Sequence, residues 1–345
     1  MAQNSRVVVI TGASAGVGRA TAHAFAREGA RIGLIARSQS ALEEVKIEVE
    51  AHGGQAIVCP ADVANPEQIE AAAATVEEAF GPIDVWVNNA MASVFSPVAE
   101  MTPDEYKRVT EVTYLGYVYG TLSALRRMRQ RNRGHLIQVG SALAYRGIPL
   151  QSAYCAAKHA IQGFCDSLRC ELIHDGSDIR LTMIQMPALD TPQFGWVKSR
   201  LARKAQPVPP IYSPDVAARA VIWASHHRRR EIWVGMPTLA AILGNKLFPG
   251  LLDHYLAWTG YDSQQYDGPE DPNRPNNLWS PVEGKHSTHG DFCDREHRFS
   301  PQLWTSLHRG VVCATLLAMG WAMIGRRSSK NQAAQPSVKR CRDDE

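Results

Sequence analysis

The sequence predicts an α/β fold: a doubly wound parallel sheet of seven strands with a C-terminal extension. Three observations carry this. Short β-branched runs alternate with helix-patterned segments from about Ser5 to Gly235, and such alternation joins parallel strands through right-handed crossovers. The first run, Val7-Val8-Val9-Ile10, is continuously apolar, as a strand buried on both faces should be. A glycine-rich turn ends that run and opens a helix.

In chain order, Val7–Ile10 reads as strand, Ala20–Glu28 as helix, Ala30–Ala36 as strand and Ser40–His52 as helix. Ala56–Pro60 follows as strand, Pro66–Phe80 as helix and Val85–Val87 as strand. Tyr106–Arg131 reads as one long helix, His135–Val139 as strand, Tyr154–His174 as helix, Arg180–Gln185 as strand and Glu231–Gly235 as the seventh strand. Beyond residue 235 the pattern changes. Leucines and aromatics at helical spacing over Thr238–Tyr261, broken at Pro249-Gly250, predict two short amphipathic helices. Gln264–Pro301 is rich in Pro, Gly, Asn and Asp and reads as a long irregular segment. The expected organisation is therefore a domain over 1–235, an amphipathic and irregular extension over 236–305, an apolar helix over 306–326 and a disordered polar tail over 327–345.

Composition excludes several classes. At 45% hydrophobic and 21% charged residues the chain is an ordinary globular one, not a disordered, collagen-like or multispanning protein. Its net charge is +3, and Arg326–Glu345 carries six basic and three acidic residues, so the remainder is neutral. A neutral body lacks the basic face that phosphate-backbone binding needs, so no nucleic-acid partner is expected. Seven scattered cysteines without a Cys-x-x-Cys pair, after a start that offers no apolar signal segment, imply a reducing, cytoplasmic location.

The turn itself, Thr11-Gly12-Ala13-Ser14-Ala15-Gly16-Val17-Gly18, has Gly-x-x-x-Gly-x-Gly spacing between strand and helix. Glycines let a pyrophosphate approach the backbone, and a helix N-terminus offers unpaired N–H groups and partial positive charge. A dinucleotide site is the reading that this context supports. At the end of the second strand stands Arg37-Ser38 rather than a carboxylate. An arginine there attracts a ribose 2′-phosphate, so NADP(H) is expected over NAD(H).

Ser141 lies thirteen residues before Tyr154, and Tyr154-Cys155-Ala156-Ala157-Lys158 places a phenol and an amine four apart on one helix face. A phenol of pKa ~10 is a poor base at neutral pH, and lowering it by ~3 units needs roughly 4 kcal/mol. A nearby ammonium in a partly desolvated pocket supplies much of that. With Thr11–Gly18, Asp62-Val63 and Asn88-Asn89-Ala90, these residues resemble the short-chain dehydrogenase/reductase family over roughly Ser5–Gly235.

The resemblance implies a Rossmann-type fold and the interconversion of a carbonyl and a secondary alcohol. It makes Tyr154 the general acid/base, Ser141 the hydrogen-bond partner of the same substrate oxygen, and Lys158 a ligand of the nicotinamide ribose. It also implies that Asp62, beside Val63, contacts adenine, that Asn89 and Ala90 pass the adenine ribose, and that Pro187 and Thr191 belong to the stretch facing the nicotinamide amide. Three positions depart from the family pattern. Met91 and Ala188 stand where glycines are usual, and Thr113 stands where an asparagine usually kinks a helix and holds a proton-relay water. The triad survives these changes; the relay at Thr113 is altered.

The segment Asp190–Pro210 should close the substrate pocket, and its Phe194, Trp196 and Val197 favour an apolar small molecule. A non-catalytic NADP(H)-binding scaffold or sensor, acting through the extension, is the competing reading. His286, His289, Cys293 and His297 do not make a metal site, because zinc needs convergent ligands in a defined turn. The runs Arg126–Arg133 and Arg228–Arg230 read as solvated helix ends. Gly310–Gly325 holds no charge but reaches only about 24 Å as a helix, short of a ~30 Å hydrocarbon core. It suits a membrane surface or a partner better than a span. The family commonly forms homo-oligomers, which is the remaining expectation.

Overall fold

In the computed structural model, which describes residues 5–284 and 286–315, the expected parallel sheet has seven strands. They are β1 (Val7–Thr11), β2 (Arg31–Ala36), β3 (Gln55–Pro60), β4 (Val85–Asn88), β5 (His135–Val139), β6 (Arg180–Gln185) and β7 (Glu231–Trp233). Their order across the sheet is β7-β6-β5-β4-β1-β2-β3. All pairings are parallel, with Val8 opposite both Ile32 and Val85. The winding direction reverses between β1 and β4, and a crevice opens there beyond the strands' carboxyl ends.

The helices are α1 (Gly16–Ala26), α2 (Gln39–Ala51), α3 (Pro66–Phe80), α4 (Pro103–Thr110), α5 (Gly116–Gln130), α6 (Ser152–His174), α7 (Pro214–His226), α8 (Met236–Leu247) and α9 (Pro249–Thr259). Local signals set their starts. Asn65 caps α3 ahead of Pro66, and Thr102 forms a reciprocal capping box with Glu105 ahead of Pro103. Pro249 likewise opens α9, which separates the two expected amphipathic helices at the expected place.

Two boundaries differ from expectation. Helix α1 begins at Gly16, a full turn before Ala20, so the glycine turn itself supplies the helix's first amides. The expected helix Tyr106–Arg131 corresponds to one continuous helical run, Pro103–Gln130, but a π-helical turn over Glu111–Leu115 divides it into α4 and α5. Thr113, at the centre of that turn, is fully buried and bonds the backbone of Ala92, which widens the helix locally.

The apolar core lies on both faces of the sheet. Trp86, Phe25, Tyr117 and Met128 are among its largest fully buried side chains. A buried polar network crosses it below the crevice: the Trp86 indole donates to Asn88 Oδ1 at 2.8 Å, and Asn88 Nδ2 donates to Thr121 Oγ1 and Gln138 Oε1, each at 3.0 Å.

The compact unit runs to Ser300, past the boundary expected at residue 235. Between Gln265 and Ser300 the described residues of the segment read as irregular hold no helix, yet the segment is stitched in. Gln265–Pro269 pairs antiparallel with Arg203–Ala205, Glu296–His297 pairs parallel with Ile211–Tyr212, and Leu278 and Phe292 are buried. A second unit begins at Pro301 with α10 (Pro301–Leu307). The apolar stretch 306–326 is described only through Thr315, and the tail 327–345 lies outside the described residues. Among the described residues no helix is long and apolar enough to cross a membrane.

Candidate active site

One cavity of about 410 Å³ occupies the crevice above the carboxyl ends of β1, β4 and β5. Its nucleotide end is built from the glycine turn. Gly12 and Gly16 have φ of +66° and +53°, and a Cβ on Gly18 would lie 2.1 Å from the carbonyl oxygen of Gly12. These are conformations and distances that a side chain would forbid. Gly12, Ser14, Gly16 and Val17 line the cavity. Thr11 and Gly18 do not; they frame it from behind. Thr11 Oγ1 accepts from the backbone N–H groups of Asn89 and Ala90, and Asn89 Nδ2 donates back to the Thr11 carbonyl. Strand β4 is thereby tied to the turn, and Asn89 and Ala90 are placed on the cavity wall.

Arg37, Ser38, Asp62 and Val63 line the same end. Arg37 takes neutral partners only: its guanidinium donates to the carbonyls of Asn277 at 2.6 Å and Trp279 at 3.1 Å, both in the extension. Desolvation depresses its pKa, opposed by the nearby Asp62 charge. Asp62 is paired instead with Arg108 at 2.5 Å. Two guanidinium groups thus face one carboxylate, which leaves this end of the cleft with one uncompensated positive charge. That excess, the glycine cradle and the amides of α1 fit the adenosine and diphosphate portion of a dinucleotide.

At the other end, β5 runs into Ser141, whose N–H donates to Gln185 Oε1 at 2.8 Å and whose hydroxyl accepts from Leu143 N–H. Gln185 is itself fixed by Glu231, at 2.6 Å. Helix α6 carries Tyr154 and Lys158, and all three expected catalytic side chains line the cavity together. Pro187, Ala188 and Thr191 reach it from the segment after β6 and Met91 from the segment after β4; Met91 and Ala188 are the two positions where glycines are usual.

The electrostatics depart from expectation. Lys158 is buried, and its amine donates to the Val139 carbonyl at 2.7 Å and to the Tyr117 hydroxyl at 3.1 Å rather than to the Tyr154 phenol. Its nitrogen lies 5.5 Å from the centroid of the Tyr154 ring. Desolvation lowers the Lys158 pKa to about 7, so at neutral pH its charge is only partly present. The Tyr154 phenol is not acidified. Burial pushes it above its ordinary value, opposed by the hydrogen bond from Ser141.

Thr113 is placed behind the cavity, not in it. Its hydroxyl donates to the Ala92 carbonyl at 2.8 Å and accepts from the Ala92 N–H at 2.9 Å. A hydroxyl so occupied has no remaining proton to offer a relay water, so the side chain holds backbone. The expected substrate-closing segment does converge here. Phe194, Trp196 and Val197 line the cavity, and Phe194 packs 6.2 Å from both Phe95 and Phe292.

The family model for short chain dehydrogenase matches residues 6–200. The chain is a short-chain dehydrogenase/reductase. This family uses NAD(P)(H), and membership makes the protein an oxidoreductase. The chain is 35% identical to an uncharacterized oxidoreductase, YxnA of Bacillus subtilis, over 81% of this chain and 80% of that one. It is 33% identical to dehydrogenase/reductase SDR family member 7B of Bos taurus, over 73% and 80% respectively. Among solved structures it resembles an alcohol dehydrogenase of the archaeon Thermococcus sibiricus complexed with 5-hydroxy-NADP, with TM-score 0.58 and 29% identity, over 67% of this chain and 96% of the other. Levodione reductase is similar at TM-score 0.59 and 28% identity, over 68% and 98%.

Four participants in this short-chain dehydrogenase/reductase site carry no sequence signal of their own: Tyr117, Gln185, Arg108 and the segment 277–287. The first three are polar side chains whose roles come from strands and helices that sequence spacing does not bring together. The last acts largely through backbone carbonyls.

Proposed function

We propose that the protein is an NADP(H)-dependent carbonyl reductase acting on an apolar small molecule. The observation that carries this is the convergence of Ser141, Tyr154 and Lys158 on one cavity with the glycine turn and Arg37. NADP(H) is favoured because Arg37 keeps an uncompensated charge where a 2′-phosphate would sit. The nicotinamide supplies hydride when bound. Ser141, immobilised through Gln185, orients the substrate oxygen by hydrogen bonding. Tyr154, on the same cavity wall, gives that oxygen its proton as general acid.

The raised phenol pKa suits the reductive half of the reaction near neutral pH. A neutral phenol at physiological pH is ready to protonate a developing alkoxide, whereas oxidation would need the scarce phenolate. Lys158, braced on Tyr117 and Val139, fixes the floor of the site and can meet a ribose hydroxyl. Phe95, Phe194, Trp196 and Val197 make the substrate end mainly apolar, which suits a hydrophobic carbonyl compound. We place the protein in a reducing compartment, consistent with six unpaired cysteines among the described residues.

The test is NADPH oxidation with a panel of hydrophobic ketones and aldehydes. Tyr154→Phe should lower turnover by about 10²–10⁴-fold while NADPH still binds. Intact nucleotide binding without turnover on any member, unaltered in Tyr154→Phe, would instead support a non-catalytic nucleotide holder.

A further inference from the structure

The described residues of the segment 277–287, all but Lys285, have neither helix nor strand, and their ties go to the nucleotide end of the cleft. Arg37 holds the carbonyls of Asn277 and Trp279, Arg108 Nε holds that of Leu278 at 3.0 Å, and Arg19 holds that of His286 at 2.9 Å. The N–H of Gly16, in the glycine turn, donates to the Ser287 carbonyl at 3.0 Å. Leu278 is fully buried and pins the strap to the main core, and Trp279 lies over the Arg108 guanidinium, 6.0 Å from it to the ring centroid. Asn277, Pro281, Val282 and His286 form the cavity wall that faces the glycine turn. His286 Nε2 bonds the Val282 carbonyl, and its buried Nδ1 has no hydrogen-bond partner.

We propose that residues 277–287 are a latch over the nucleotide end of the cleft, which opens to admit or release the dinucleotide and closes on it as part of the binding site. The proposal rests on the reading of this cleft as the NADP(H) site. The strap is anchored on the elements that line the nucleotide end: the Gly16 amide and the Arg37 guanidinium hold its carbonyls, so a nucleotide lying between the glycine turn and the strap wall is covered by the closed strap. Strap position and nucleotide occupancy are therefore linked, and a nucleotide under a closed strap leaves no faster than the strap lifts.

The experiment uses the full chain with NADPH as probe. Release is followed by stopped-flow displacement with excess NADP⁺, and hydrogen exchange is mapped with and without NADPH. Trp279→Ala, an exposed substitution, and Leu278→Ala should each speed release threefold or more, and NADPH should slow amide exchange across 277–287 in the unmodified protein. Release unchanged in the variants, or no added protection of 277–287, overturns the latch. Should Leu278→Ala not fold, Trp279→Ala and the exchange map decide. Failure of NADPH to bind at equilibrium is a separate result, and it removes the nucleotide reading itself.

Discussion

Thr113 and Ala92 hold each other by a reciprocal pair of hydrogen bonds, 2.8 and 2.9 Å long, at the π-helical turn between α4 and α5. The position associated with a proton relay is thus an architectural clasp in this chain. Thr113→Val removes the hydroxyl and strands two buried backbone groups, each at a cost of about 1–3 kcal/mol. Urea unfolding should show a loss of about 2–4 kcal/mol for Thr113→Val. Thr113→Ser, which keeps the hydroxyl, should stay within about 1 kcal/mol of the parent.

Lys158 gives a pH-dependent stability of defined sign. Its folded-state pKa of about 7 lies below the ordinary value of 10.5, so between those limits the unfolded chain holds the extra proton. Stability then rises with pH across that window, by up to about 1.4 kcal/mol per unit. Relative to Lys158→Met, the unmodified protein should gain stability steadily as the pH of urea unfolding is raised from 7 to 10. A difference that stays flat with pH would mean that the amine is not desolvated.

The raised phenol pKa of Tyr154 predicts opposite pH profiles for the two directions. Carbonyl reduction should be level near neutrality, because the acid form prevails there. Alcohol oxidation should climb about tenfold per pH unit over the alkaline range, following the phenolate. Steady-state rates with NADPH and with NADP⁺ from pH 6.5 to 9.5 check both limbs.

Arg37 separates the two nucleotides. Replacing it with Gln removes a charge-assisted contact of about 1.5–3 kcal/mol to a 2′-phosphate. The ratio of NADPH to NADH affinity should therefore fall by roughly 10–100-fold. Because Arg37 also grips the strap, NADH affinity serves as the reference that isolates the phosphate's share. Equal losses for both nucleotides would assign Arg37 to the strap alone.

How far the sequence carries depends on what kind of atom does the holding. The seven strands were legible because burial on both faces writes continuous apolar runs such as Val7–Ile10, and Ser141, Tyr154 and Lys158 because their chemistry requires particular side chains at a fixed spacing. The partners of Lys158 were not legible. The choice of Val139 and Tyr117 over Tyr154 follows from burial, which the motif does not encode. The strap was invisible for a deeper reason. Asn277, Leu278, Trp279, His286 and Ser287 meet the cleft through carbonyl oxygens, which every residue possesses, so no residue type marks the contact.

The extension should consequently be indispensable to the catalytic unit. Phe292 packs on Phe194 in the substrate wall, Leu278 fills the main core, and Gln265–Pro269 pairs with Arg203–Ala205. A chain ending at Gly235 loses all three at once and bares the apolar surfaces they cover. Burying a leucine or phenylalanine is worth about 1.5–3 kcal/mol each, so these two side chains alone, about 3–6 kcal/mol, reach the lower end of a typical domain's stability of about 5–15 kcal/mol. A chain ending at Ser300 keeps them. The expected outcome is that truncation after Ser300 leaves a folded protein that binds NADPH with near-parental affinity, whereas truncation after Gly235 yields aggregated or nucleotide-free material. Circular dichroism and NADPH fluorescence titration read both, and a folded, NADPH-binding chain ending at Gly235 would show that the extension merely decorates the sheet.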